Sequence, residues 1–173
     1  MPLVSRAPVV ILACGNPSRG DDALGPWLLE RLQNWLLAAG LDERFELIVD
    51  FQWQIEHALD LAGRRLALFI DAAQGTPAPF VFSRLDAADA RIPSSHALPP
   101  AALLAVLARL GNQAAPPAFV LAVRGDKFEL GDGLSTGARR HAEQAFELLT
   151  ELCLAPWPAA WRPLCSPSVA PVE

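Results

Sequence analysis

VVILACGNPSRGDDALG, residues 9–25, runs from an apolar segment into a polar loop, two adjacent carboxylates and a glycine. Val9–Cys14 is uninterrupted and apolar, of strand length, and stops at Gly15. Helical periodicity follows, because Leu24, Leu28, Leu32, Trp35 and Leu36 share one face of a helix predicted from about Asp22 to Ala39. Pro26 falls in its first turn, where no intrahelical bond is lost, and Gly40 is a natural stop. The unit is therefore strand, loop, helix. Turns of this kind often cradle phosphate, but Asp21 and Asp22 would repel an anion. No G-x-G-x-x-G or G-x-x-x-x-G-K-[ST] follows the strand either.

The same alternation continues outward. Strand-like runs fall at 45–51, 66–70, 80–85 and 119–123. Helices are predicted at Gln54–Ala62, from about Pro99 to Leu110, and from Ser135 or Thr136 onward, the last with Ala138, Ala142, Ala145, Phe146, Leu149 and Leu152 on its buried face. Strands alternating with helices of this length imply a largely parallel sheet covered on both faces, a three-layer α/β/α sandwich. The 80–85 run follows its predecessor too closely for a crossover helix, so an antiparallel edge is expected there. Residues 1–155 read as a single α/β domain, and 156–173 as a Pro-rich tail. Five prolines bar that tail from a helix or inner strand; it is either an extension pinned by Trp157 and Trp161 or a loose end.

A net charge of −5 argues against sequence-independent nucleic-acid binding. The longest apolar stretch, Ala101–Ala108, is far short of the roughly 18–20 residues that span a bilayer. The first residues lack the pattern of a signal peptide, so a cytoplasmic protein is expected. Cys14, Cys153 and Cys165 are odd in number with no C-x-x-C pair, which disfavours a disulfide framework or a cysteine zinc site. Cys14 is expected to be a small core residue.

In open α/β sheets ligands bind beyond the carboxyl ends of the strands, at a switch in strand order. Three carboxylates follow three strands at that edge: Asp22 after the first, Asp50 ending the second, and Asp71 directly after the apolar run LALFI. Asp22 alone would pass for a helix-start acid, but an acid straight after a buried strand, as at Asp71, needs a partner. His57 and His141 are expected on polar faces of their helices, whereas His96 stands in a loop at a helix entrance. Asp22, Asp71 and His96 form a plausible three-ligand site for a borderline divalent metal, with room left for water or substrate. A carboxylate pair sharing a proton, the aspartic-protease chemistry, fits the two acids equally well. No G-x-S-x-G elbow supports a serine triad.

At these residues the chain resembles the endopeptidases that mature nickel–iron hydrogenases. Those enzymes clip a C-terminal extension from the large-subunit precursor after nickel has been inserted. Their pattern of Gly-Asn, four variable residues, two acids and a nearby glycine is met by Gly15-Asn16, PSRG, Asp21-Asp22 and Gly25. A strand-ending Asp-Ala is met by Asp71-Ala72. A histidine before an amphipathic helix is met by Ser94-Ser95-His96 and AALLAVLARLG, and a Gly-Leu-Ser step by Gly133-Leu134-Ser135. The resemblance spans residues 9 to about 153.

It implies a five-stranded, mostly parallel twisted sheet of order 2-1-3-5-4 with strand 4 antiparallel. It implies Asp22, Asp71 and His96 as catalytic residues and metal ligands, with Asn16 and Asp50 contacting substrate. The nickel is carried by the precursor, no organic cofactor is needed, and the enzyme is a monomer acting on that precursor. DFQWQIEHALDL (50–61) and VRGDKFELGDGLS (123–135) look similar to the branch serving soluble, NAD-reducing hydrogenases. Departures are Phe51-Gln52-Trp53-Gln54, where many members have Gly-Gly, and Pro79-Phe80, where many have Pro-Gly. The rival functions are a nickel-sensing chaperone of the large subunit that does not cut, and a general metal-dependent amidohydrolase.

Overall fold

The computed structural model describes residues 5–89, 98–111 and 114–167. The apolar runs become β1 (Val9–Cys14), β2 (Phe45–Asp50), β3 (Leu66–Ala73), β4 (Phe80–Leu85) and β5 (Ala118–Arg124), in one sheet of order β2-β1-β3-β5-β4. β1 pairs parallel with β2 and β3, and β3 parallel with β5. β4 runs antiparallel to β5, as the short 74–79 connection requires. The expected order and the expected reversed strand are both present.

Among the described residues five helices flank the sheet: α1 (Leu24–Ala39), α2 (His57–Leu61), α3 (Pro100–Arg109), α4 (Thr136–Leu154) and α5 (Pro158–Trp161). The period-two alternation along β1 divides the core. Val9, Ile11 and Ala13 face α1 and α4, while Val10, Leu12 and Cys14 face α2 and α3. Leu28, Leu32 and Leu36 of α1 and Ala142, Ala145 and Leu149 of α4 fill the first layer. Ala58 and Leu61 of α2 with Leu103, Leu104 and Leu107 of α3 fill the second.

Two helices begin later than their periodicity suggests. Gly20–Ala23 is a 3-10 turn, so α1 starts at Leu24 rather than at Asp22. The second helix is His57–Leu61 rather than 54–62, because the turns before it close three residues back, the His57 amide on the Gln54 carbonyl at 3.0 Å and the Ala58 amide on the Ile55 carbonyl at 3.1 Å. Ser135 caps α4 as expected, its hydroxyl accepting from the Ala138 amide at 3.1 Å.

The chain beyond α4 folds back over the β4–β5 end of the sheet and, against the expectation that its prolines bar a helix, forms the one-turn α5, with Pro158 in the first turn where a missing N–H costs no bond. Trp161 is fully buried, its ring 5.3 Å from Phe119 and 6.3 Å from Phe82, and its Nε1–H donates to the Leu152 carbonyl at 2.9 Å. Ser166 then pairs with β4, donating its amide to the Phe82 carbonyl at 2.7 Å. Trp157 is 53% exposed, so of the two tryptophans only Trp161 anchors the segment. Among the described residues no helix is long and apolar enough to cross a membrane.

Candidate active site

The two adjacent acids of the opening loop do different work. Asp21 is fully buried and accepts from the amides of Asp126 (2.9 Å), Lys127 (3.0 Å) and Ser135 (2.7 Å), and from the Ser135 hydroxyl (2.9 Å). Burial pushes its carboxyl upward, but the hydrogen bonds from Ser135, Asp126 and Lys127 outweigh burial and hold it below the ordinary range. Asp21 therefore stitches the loop after β1 to the segment leading into α4. Asp22 points the other way. Its Oδ2 accepts from the Asn16 amide at 2.7 Å, which pins the carboxylate across the loop beside the end of β1.

Glycine makes this turn possible. Gly15 has φ +149°, and a Cβ there would stand 1.9 Å from the Asp22 carbonyl oxygen. A Cβ on Gly25 would stand 2.5 Å from the Cys14 carbonyl oxygen, so α1 can approach β1 this closely only at a glycine. The spacing Gly15…Asp22…Gly25 thus sets a carboxylate against the strand end.

Asp71 lies within β3, which continues to Ala73. By alternation it shares the α2/α3 side of the sheet with Ala67 and Phe69. Burial pushes its carboxyl up to about 6; contact with the Cys14 thiol and the Ala72 amide pulls it back, and the Asp22 charge adds to the rise. The Cys14 thiol is pushed far up, first by burial and then by Asp71, Asp22 and Asp50, so it is an inert thiol beside three carboxylates. The register supports this picture: Cys14 pairs with Asp50 on β2, and Ala13 pairs with Ile70 on β3. Asp50, Cys14 and Asp71 therefore form a row across three neighbouring strands, with Asp22 above it. The row crosses the β1/β3 boundary, where the strand order switches direction.

Asp50 is partly exposed. Its Oδ1 accepts from the Phe51 amide at 2.7 Å, and its Oδ2 lies 3.3 Å from Nε2 of His57. That histidine departs from expectation: it is 6% exposed rather than solvent-facing, packed edge-on to Trp53. Leu61, four residues on, is a core residue of α2, but a helix of a single turn gives that one spacing little weight in the sequence. His141 is half-buried, with Nδ1 3.0 Å from the Arg124 carbonyl oxygen.

Asn16 uses its side-chain oxygen within the loop, accepting from the Ser18 amide at 2.9 Å. His96 lies outside the described residues. Among the described residues no three His, Cys, Asp or Glu side chains gather closely enough to hold a metal ion. Asp22 and Asp71 are the carboxylates at this edge that could offer oxygen donors to a cation.

No family model and no curated protein matches the chain. Solved structures do. A [NiFe] hydrogenase maturation protease, HycI from Thermococcus kodakarensis KOD1, is similar at 21% identity and a TM-score of 0.65, covering 87% of this chain and 95% of that one. The hydrogenase maturating endopeptidase HybD from E. coli is similar at 20% identity and a TM-score of 0.60, with 82% and 88% covered. An endopeptidase from Escherichia coli gives 22% identity and a TM-score of 0.65, with 86% and 92% covered. Over nearly its whole length, this chain has the fold of the [NiFe] hydrogenase maturation proteases.

Proposed function

We propose that the protein is a hydrogenase maturation endopeptidase, acting as a monomer in the cytoplasm, that removes the C-terminal extension of a nickel–iron hydrogenase large-subunit precursor after nickel insertion. The observation that carries this reading is the placement of Asp22 and Asp71 together at the β1/β3 switch, on the fold shared with proteases of that description. Its sequence support is the ordered set Gly15-Asn16, Asp21-Asp22, Asp71-Ala72, Ser95-His96 and Gly133-Leu134-Ser135.

The nickel belongs to the substrate. Asp22, Asp71 and His96 are oxygen and nitrogen donors of the kind a borderline divalent ion accepts. Their contact with the seated nickel registers that the precursor is loaded and holds the scissile bond over the strand ends. Hydrolysis then adds water to the carbonyl carbon. The water's proton passes to a carboxylate of the site and on to the departing nitrogen as the C–N bond breaks.

The test is processing of nickel-loaded precursor by Asp22→Asn and His96→Ala. Both variants are expected to leave the precursor uncut while melting as the wild-type protein does. Full cleavage by both would exclude the assignment.

A further inference from the structure

We infer that His57 is a positioning residue that fixes Asp50 as a substrate-contacting carboxylate at the rim of the site, a role that rests on the endopeptidase reading above. The Gln54 amide donates to Nδ1 of His57 at 2.8 Å, so that nitrogen carries no proton and Nε2 carries it. Nε2, which carries the proton, lies 3.3 Å from Oδ2 of Asp50, within ion-pair distance of that carboxylate. The ring cannot tilt freely. Trp53 packs edge-on to it at 6.2 Å, and Trp53 itself stands edge-on to the buried Phe69 at 5.3 Å. A rigid line of side chains thus runs from the core to one carboxylate on the rim.

Burying an imidazole is costly unless both nitrogens find partners. The turn at Gln54 satisfies only one. The other partner comes from a different element, the last residue of β2, where an aspartate would otherwise swing between rotamers. Asp50 holds Oδ1 on the Phe51 amide and keeps Oδ2 against the His57 ring, and each oxygen keeps a lone pair free. Its backbone is tied to the loop that carries Asp22, because the Gly15 amide donates to the Asp50 carbonyl at 3.0 Å.

Asp50 stands at a groove of about 250 Å³ that Gly15, Pro17, Pro26, Val49 and Phe51 also line, its carboxylate on the Cys14 face of the sheet beside His57. β2 is an edge strand, and Val49 and Phe51 are exposed. Among the described residues, Asp50 is the only charged residue lining that groove. The precursor chain next to a scissile bond presents backbone N–H donors, and an oriented carboxylate beside an apolar groove accepts one of them. Asp50 contributes binding and register, and His57 acts through it.

The two ring nitrogens can be replaced separately. His57→Gln keeps an N–H donor near the Nε2 position, while His57→Asn keeps an acceptor near Nδ1 and loses the reach to Asp50. With nickel-loaded precursor, His57→Asn and Asp50→Asn are each expected to raise KM by about tenfold or more with a smaller change in kcat. The double variant is expected to be no worse than either, and His57→Gln to recover most of the loss. Impaired His57→Gln beside a wild-type His57→Asn would mean that the imidazole only closes the Gln54 turn, and overturns the role. Should His57→Asn fail to fold, Asp50→Asn on the rim carries the test, and an unchanged KM there overturns it. Wild-type protein that cleaves nothing overturns the endopeptidase reading and this role with it. Cleaving wild-type protein matched by His57→Asn overturns this role alone.

Discussion

Ser135 gives both of its protons to Asp21, the amide to Oδ1 at 2.7 Å and the hydroxyl to Oδ2 at 2.9 Å. The same hydroxyl accepts from the Ala138 amide and so caps α4. One buried carboxylate thereby couples the loop after β1 to the start of the last helix. The site-bearing Asp22 is the next residue along.

Asp21→Asn places an amide NH2 among the backbone amides of Asp126, Lys127 and Ser135, which can only donate. It is expected to lower stability by about 2–4 kcal/mol at neutral pH, measured by urea denaturation. The sign with pH follows from a folded carboxyl held below its ordinary value of 3.8. Its contribution is fully present above that value and is lost as pH falls through the lower, folded one. The gap between wild type and variant should therefore close in acid. A constant gap down to pH 2 would contradict the role given to Asp21.

Asp71 has the opposite sign. Its folded carboxyl sits at about 6 against an ordinary 3.8, so the folded protein binds this proton more tightly than the unfolded chain. Stability is expected to fall as pH rises from about 4 to about 6, and the cost is complete above that. Asp71→Asn should accordingly stabilise the metal-free protein at pH 7.5 by about 1–3 kcal/mol, with the gain vanishing near pH 4. Thermal melts of both proteins across that range check it. A variant less stable than wild type at pH 7.5 would mean that the burial cost of the charge is already compensated.

Gly25 is the contact point between α1 and the end of β1. Gly25→Ala puts a methyl 2.5 Å from the Cys14 carbonyl oxygen and is expected to cost about 3 kcal/mol as α1 is pushed off the strand. Gly137, in the first turn of α4, has open space where a Cβ would stand, with no neighbour among the described residues within 4 Å. Gly137→Ala is therefore expected to stabilise by up to about 1 kcal/mol. Equal effects of the two substitutions in a denaturation series would refute close approach as the reason for Gly25.

The fold was legible wherever the chemistry was local. The unit β1–loop–α1 follows from an apolar run that ends at Gly15 and periodic leucines that begin at Leu24. The sheet order was implied by resemblance, and periodicity supplied only the parallel sheet with its reversed strand. Asp71 was readable because an acid directly after LALFI has few bland explanations. Asp21 was not, since its partners Asp126, Lys127 and Ser135 lie more than a hundred residues away. The burial of His57 was hidden by its polar neighbours on a helix of a single turn, where periodicity hardly registers. Trp161 and Trp157 carry the same composition signal, and only packing against Phe82 and Phe119 tells them apart. His96, the third expected ligand, falls outside the described residues.

The proposed cleavage is gated by nickel in the partner, and the intact mass of the large subunit decides whether it is. Purified precursor, nickel-loaded in one arm and nickel-free in the other, is incubated with the wild-type protein and read by mass spectrometry. Gating requires a large subunit shortened at its C-terminus in the loaded arm and full-length precursor in the nickel-free arm. Full-length precursor in both arms, or equal shortening in both, would contradict it.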